Sequence, residues 1–352
     1  MPTPQFSNIL LIQLGDIGDV VLTTPTIRAA RETNPNARVS VLVRKPYGSL
    51  LAADPHLYQI VEAEKFRGQL HQVIKLYVLF CWRLWSARYD LVIDLRTGDR
   101  GAIYAFLTGA RVRIGREGGP KQFWRRLVFT RLLGALKAAP LPAHPGADQS
   151  LSVVQEVGIR ASDSIPRLHV SPEALRRARE ILAGAGIVPD AGIVTINPYS
   201  RWRYKEWDDR RWAEVIDQLW AAKKIPVVLI GSPEEAAASE AIVAGRKERA
   251  VSVAGKTTLA ELAAIVSLSR LHLGVDSAAP HIAAALNVPT VTIHGPTDWR
   301  SWRLVDERHR IVSSKMSCLP CNRKGCDDSE VSQCLVQLRS EAVVNAALGI
   351  LA

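Results

Sequence analysis

The chain has 352 residues, 47% of them hydrophobic and 22% charged, which suits a soluble globular protein of two ordinary-sized domains. No apolar stretch approaches the roughly 18–20 residues that a membrane-spanning helix needs; the longest, Leu76–Trp82, lies between Lys75 and Arg83. The net charge is +11, and residues 1–170 carry most of it, with 22 Lys and Arg against 13 Asp and Glu. That basic half suits an anionic lipid, a phosphorylated substrate or plain solvent, while the lack of any helix-turn-helix, finger or RNP-like pattern speaks against nucleic acid.

Met1–Leu14 has no basic run ahead of its apolar residues, and Asp16 and Asp19 follow at once, so it reads as a first strand rather than a signal peptide. The expected location is the cytoplasm. Short apolar runs at Ile9–Ile12, Val39–Val43, Leu91–Ile93 and Val112–Ile114 read as buried strands, with helical patterns at Val20–Thr33, Gly68–Ala87 and Gly101–Leu107. The Phe66–Trp85 stretch sets basic residues beside aromatic and aliphatic ones; a helix covering the first sheet is the preferred reading, and contact with a membrane the alternative.

A Pro-rich break at Ala138–Ala147 precedes a second alternation. Its strands are expected at Gly192–Ile196, Pro226–Ile230, Leu271–Gly274 and Thr290–Ile293. Its helices are expected at Pro172–Ala185, Arg210–Lys223, Pro233–Arg246, Leu259–Ser267 and Pro280–Leu286. Strand–helix alternation of this kind predicts α/β architecture with parallel sheets: two Rossmann-like domains facing across a cleft, residues 1–168 and 169–352.

Ligands of such sheets sit beyond the carboxyl ends of the strands, and four segments occupy those places. In the first, Gln13–Val21, Gly15 and Gly18 permit a tight turn. Asp19 is either an ordinary N-cap or a carboxylate placed to act as general base on a sugar hydroxyl. The G-x-x-G spacing is not that of a dinucleotide fingerprint. The second, Asn197–Trp207, sets Ser200, Arg201, Arg203 and Lys205 among aromatic residues, a mixture that suits a diphosphate and a sugar, with Lys205 as the diphosphate contact. The third, Leu273–Leu286, runs from strand through Asp276, Ser277, Ala278, Ala279 and Pro280 into an Ala-rich helix whose free N–H groups suit an anion; His281 follows as a ligand contact. In the fourth, His294–Arg303, Thr297 and Asp298 are candidates for the sugar or nucleoside, and Trp302 and Arg303 for closing the domain.

Taken in order, LLIQLGDIGDVVLTTPTIRAAR, KEWDDRRWAEVI and GVDSAAPHIAAALNVPTVTIHGPTD resemble the lipopolysaccharide heptosyltransferases, inverting glycosyltransferases of the GT-B fold. The ending CLPCNRKGCDDSEVSQCL resembles the heptosyltransferase III branch. The resemblance implies an acceptor-binding N-terminal domain and a C-terminal domain that binds ADP-heptose. It makes Asp19 the general base, with Asp16 in place of a smaller residue. It sets Ser200 and Lys205 on phosphate-contacting positions, and Asp276, Ser277, Ala278 and His281 on an Asp-[Ser/Thr]-Gly-x-x-His motif in which Ala278 replaces the glycine. Thr297 joins the donor contacts; Gly18, Arg96, Lys121, Arg125 and Arg126 are assigned to the acceptor. The implied partners are ADP-heptose, the lipopolysaccharide core and, peripherally, the inner membrane.

Neither half carries a DxD-type carboxylate pair, so no cofactor is called for. Cys318, Cys321, Cys326 and Cys334, spaced C-x2-C-x4-C-x7-C, admit a zinc or iron–sulfur site, with reduced, packed thiols as the default; Cys81 reads as a small buried hydrophobe. A transferase using another sugar nucleotide, a sugar-nucleotide epimerase and a non-catalytic sugar-nucleotide binder are the rival functions.

Overall fold

The computed structural model describes residues 6–134, 145–188, 192–246, 248–301 and 306–352. The chain divides into two compact units, Met1–Pro166 and Arg167–Ala352. Most of the Pro-rich break, and the expected contacts of Trp302 and Arg303, lie outside the described residues.

The first unit is built on six parallel strands: β1 (Asn8–Gln13), β2 (Arg38–Arg44), β3 (Gln59–Ala63), β4 (Leu91–Asp94), β5 (Val112–Arg116) and β6 (Arg131–Leu133), in the order β3-β2-β1-β4-β5-β6. Ile9–Ile12 of β1 have no exposed surface, as a central strand covered on both faces requires. The helices are α1 (Ile17–Leu22), α2 (Thr24–Thr33), α3 (Leu70–Ser86), α4 (Asp99–Leu107), α5 (Arg125–Val128) and α6 (Pro145–Gln155).

The single helix expected over Val20–Thr33 is in fact two, and Pro25 is the reason. It has no N–H to give the Val21 carbonyl, and the Thr24 hydroxyl takes that carbonyl instead at 2.8 Å. Thr23, the joint between the helices, turns its own hydroxyl to the Asp19 carbonyl at 2.7 Å. The Phe66–Trp85 helix does pack on the first sheet, but narrowly: Phe80 and Leu84 are the buried residues of α3, and they join the core formed by Leu10, Ile12, Leu42 and Val92. Cys81 on that helix is half-buried rather than buried.

The second unit repeats the plan. Its strands are β7 (Ile193–Asn197), β8 (Val227–Leu229), β9 (Ala250–Ser252), β10 (Ser269–Val275), β11 (Thr290–Ile293) and β12 (His309–Val312), all parallel, in the order β12-β11-β10-β7-β8-β9. Counted from its own first strand, each sheet runs third, second, first, fourth, fifth, sixth. The chain therefore reverses direction between β1 and β4 in one unit and between β7 and β10 in the other, the points where α/β sheets open a ligand crevice.

The helices of the second unit are α7 (Pro172–Gly184), α8 (Asp209–Lys223), α9 (Ala236–Val243), α10 (Leu259–Ser267), α11 (Ala278–Ala285), α12 (Gln333–Val336) and α13 (Ser340–Leu348). Their starts follow capping chemistry. Ser171 accepts the Ala174 amide at 3.1 Å, Asp208 accepts that of Arg210 at 2.8 Å, and Thr258 with Glu261 forms a capping box. Trp212, fully buried, meets Trp207 edge to face at 5.1 Å and fixes α8 on the sheet.

Candidate active site

Each switch point holds a carboxylate–cation pair that joins the loop after the unit's first strand to the loop after its fourth. In the first unit the carboxylate is Asp19. Asp16 is the N-cap of α1, and Asp19, three residues on, accepts the Asp16 amide at 2.9 Å through Oδ2, closing a capping box. Asp19 is thus not the N-cap itself. Its other oxygen, Oδ1, accepts from Arg96 Nη1 at 2.9 Å, and the carboxylate is about one-sixth exposed.

The loop is fitted around this carboxylate. A Cβ at Gly15 would stand 2.7 Å from both Cβ and Cγ of Asp19, so a glycine is required there. Gln13, buried at the end of β1, binds the Gly15 amide at 3.0 Å and the Thr23 hydroxyl at 2.8 Å. Arg44, at the end of β2, donates to the Gly15 carbonyl from Nε at 2.9 Å and Nη2 at 2.6 Å, and pairs with Asp16. Sequence reading missed Arg44, although a cation at the carboxyl end of a strand run was signal enough.

The loop that carries Arg96 rests on a buried ion pair. Asp94 ends β4 and accepts from Arg125 at 2.9 Å, with both side chains essentially inaccessible. Arg125 also donates to the carbonyls of Arg116, Gly98 and Arg96 at 2.9, 3.0 and 3.1 Å. The acceptor contact expected of Arg125 is therefore corrected: its guanidinium is wholly buried, and leaving Asp94 would strand a buried charge. Burial pushes the Asp94 carboxyl up to about 6, against the pull of Arg125.

A cavity of about 980 Å³ opens over these loops, lined by Arg44, Lys45, Lys65, Arg96 and Arg100 against the carboxylates of Glu64, Asp94 and Asp99, so that cations outnumber acids there, with Tyr47 and Tyr104 among them. Gly18 is half-buried in α1; Lys121 and Arg126 lie on the surface, where Arg126 pairs with Glu117 at 2.8 Å.

The second unit brings its predicted residues close together. Lys205 donates to Asp276 Oδ2 at 2.7 Å, and the Thr297 hydroxyl donates to the same oxygen at 2.6 Å. Ser200 donates to the Asp276 carbonyl at 3.3 Å. Three loops, after β7, β10 and β11, thus converge on one carboxylate. Burial alone would raise that carboxyl, but His294, Lys205 and Thr297 outweigh it and hold Asp276 below the ordinary carboxylate range.

Ser277, the N-cap of α11, gives no side-chain cap; its hydroxyl donates instead to Asn197 Oδ1 at 3.2 Å. Half-buried Ala278 opens the helix and keeps the approach to its first turn small. His281 and His294 are buried, and burial lowers both, His281 to about 4, so the His281 ring is neutral near pH 7. Beside Asp276 and Ser277 they line a cavity of about 20 Å³, room for about one water.

The cysteine-containing segment buttresses these loops. Ser332 donates to the Tyr204 carbonyl at 2.6 Å, the Asn322 amide to the Pro296 carbonyl at 2.8 Å, and the Asp298 amide to Asn322 Oδ1 at 3.0 Å. Leu335 packs so close that a Cβ on Gly295 would fall 2.9 Å from it. Lys324 lies 5.6 Å from the ring of Trp202, which is 44% exposed rather than an anchor to the core; Trp207, buried, is the anchor. Cys318 is exposed, Cys321 and Cys326 are half-buried and Cys334 is buried, all as free thiols. Burial, and then the neighbouring Cys321 and Cys326, push the Cys334 thiol up to about 11. Among the described residues no group of three or more His, Cys, Asp or Glu is arranged to hold a metal ion.

Residues 80–331 match glycosyltransferase family 9 (heptosyltransferase). Lipopolysaccharide heptosyltransferase 3 of Escherichia coli is 30% identical over 81% of this chain and 83% of its own length. The crystal structure of a family 9 glycosyltransferase from Veillonella parvula superposes with a TM-score of 0.81 at 20% identity, covering 99% of this chain and 98% of that one. That of E. coli heptosyltransferase WaaC with ADP-2-deoxy-2-fluoro heptose gives a TM-score of 0.72 at 18% identity over 97% and 99% of the two chains. The chain belongs to glycosyltransferase family 9, the heptosyltransferases.

Proposed function

We propose that the protein transfers heptose from ADP-heptose to the inner core of lipopolysaccharide with inversion at the anomeric carbon. The observation that carries the donor side is the convergence of Lys205, Thr297 and Ser200 on Asp276 at the N-terminus of α11. An ammonium has three N–H donors, and Lys205 spends one on Asp276, so two remain for a diphosphate. The first-turn amides of α11 add positive potential without a competing cap. The E. coli relative solved with an ADP-heptose analogue supports the same donor here.

The first unit is the acceptor side in this reading. Its cationic cavity suits phosphates on the core, and Asp19, held by Arg96 and the Asp16 amide, is the general base. Asp19 takes the proton of the acceptor hydroxyl as that oxygen attacks the anomeric carbon; the bond to ADP breaks, and Lys205 with α11 stabilises the charge arriving on the diphosphate. Gly18, Lys121 and Arg126 border the acceptor; Ser277, Ala278, His281 and Thr297 border the donor. The reading carries with it the GT-B fold. It also sets the work at the cytoplasmic face of the inner membrane, where a lipid-linked core is built.

The test is ADP release from ADP-heptose, with and without a heptosylated, truncated core acceptor. Acceptor-dependent release is the expected result. Release that ignores the acceptor, or donor binding with no release for any core acceptor, would contradict the transferase reading.

A further inference from the structure

Helix α3 is seventeen residues long and buries two of them, Phe80 and Leu84. Leu70, Ile74, Val78 and Trp82 recur every four residues along one outward stripe, and they are 75%, 54%, 60% and 63% exposed. The surface continues onto the neighbouring helices, since α4 packs on α3 and α5 on α4. Phe106 of α4, Phe123 in the turn before α5 and Leu127 of α5 are 56%, 75% and 82% exposed. Scattered apolar residues on a surface need no explanation, but a run across three adjacent helices marks an interface.

We propose that this face of α3, α4 and α5 docks on an anionic lipid bilayer. Charge selects the occupant. Residues 65–89 hold five cations (Lys65, Arg67, Lys75, Arg83 and Arg88) and no acidic residue. The Arg88 guanidinium lies 4.5 Å over the Trp85 ring, so cation and aromatic share one edge of the patch. Aromatic rings with long basic side chains at their rim are the composition of a surface seated at head-group depth, the apolar stripe in the acyl boundary and the cations at the phosphates. A second copy of the chain would bring the same cations against themselves, because a two-fold interface pairs a patch with its own image.

No described helix is long and apolar enough to cross a membrane, so the contact lies on one leaflet. Helix α4 links the patch to the cationic cavity: Arg100 and Tyr104 line the cavity, while Ile103 and Phe106 of the same helix face outward. Docking therefore brings the cavity beside the head groups, where a lipid-linked acceptor emerges. That consequence rests on the acceptor-side reading; the docking does not.

The test is co-sedimentation of the full chain with vesicles of phosphatidylcholine mixed with phosphatidylglycerol, against phosphatidylcholine alone, together with sedimentation velocity of the lipid-free protein. The wild type is expected to pellet with the anionic vesicles only. Val78→Ser with Trp82→Ser should lower the partition coefficient by at least about tenfold, and Lys75→Gln with Arg83→Gln by about fivefold per cation removed. Turnover of a water-soluble truncated acceptor should be unchanged in both variants, which also reports that they are folded and separates this docking from the transferase reading. No binding, equal binding to neutral and anionic vesicles, or a dimer that Trp82→Ser dissolves would overturn the proposal, the last by giving the face to a second copy.

Discussion

The two units share one strand order and differ in what they hang on it. Both tie the loop after the first strand to the loop after the fourth with a carboxylate–cation pair, but the polarity is reversed. The first unit puts Asp19 after its first strand and Arg96 after its fourth, whereas the second puts Lys205 after its first and Asp276 after its fourth. The environments differ as well. Arg96 is 45% exposed and lines a broad cavity rich in cations, with its partner Asp19 16% exposed, while Lys205 and Asp276 are 17% and 9% exposed, the latter beside the buried rings of His281 and His294. A scaffold of fixed topology thus presents a carboxylate held by a half-exposed arginine in one unit and a cation anchored on a buried carboxylate in the other, and the difference lies in the loops rather than the sheet.

That contrast can be broken first at the ion pairs. Arg125→Met leaves Asp94 buried without its partner, which should cost the first unit roughly 3–5 kcal/mol and lower its melting temperature by on the order of 10 °C; a calorimetric scan resolving the two units reads this directly. Lys205→Ala is the corresponding change in the second unit. It removes a partner from Asp276 and, in the proposed reading, a donor from the diphosphate, so ADP should bind roughly tenfold to a hundredfold more weakly by isothermal titration.

The units should also respond to acid in opposite senses. Burial lowers His272 to about 3 and His281 to about 4, so between about pH 6.5 and 4 the unfolded chain binds protons that the folded second unit refuses. Its stability therefore falls as the pH falls through that window, by roughly 2 kcal/mol per histidine at pH 5 and about 3 kcal/mol at pH 4. Asp94 works the other way. Its folded-state value, raised to about 6, lets the folded first unit take up a proton before the unfolded chain does, so its contribution grows as pH falls through 6. Thermal scans at pH 7 and pH 5 should show the second unit losing ground to the first. The smallest effect is at the surface: Arg126→Ala breaks only an exposed pair with Glu117 and should shift stability by less than about 0.5 kcal/mol in the same scans.

The central strands were readable because they are continuous apolar runs. The four strands absent from the sequence reading, β3, β6, β9 and β12, are the two edges of each sheet. Gln59–Ala63 has one buried residue in five, Arg131–Leu133 none and His309–Val312 one in four, whereas Ala250–Ser252 has two in three but is only three residues long. An edge strand covered on one side needs no hydrophobic run, so periodicity has nothing to register.

The site divides the same way. Asp19, Ser200, Lys205, Asp276 and Thr297 directly follow strand runs and could be named from position. Arg125 looked like one more cation in a basic cluster, because its partner Asp94 is thirty-one residues away and only folding joins them. The contacts of Asn322 and Ser332 with Pro296, Asp298 and Tyr204 were hidden for the same reason, and with them the buttressing role of the cysteine segment.

The central claim, a base on the first unit and a donor site on the second, is tested most directly on Asp19→Asn. Its amide oxygen can still accept the Asp16 N–H, so the capping contact is kept while the base is lost. Acceptor-dependent ADP release and ADP-heptose affinity should be measured together on this variant and the wild type. The account predicts turnover lower by about a thousandfold with donor affinity within about twofold of wild type. Turnover that survives Asp19→Asn, or donor affinity that falls with it, would contradict the assignment.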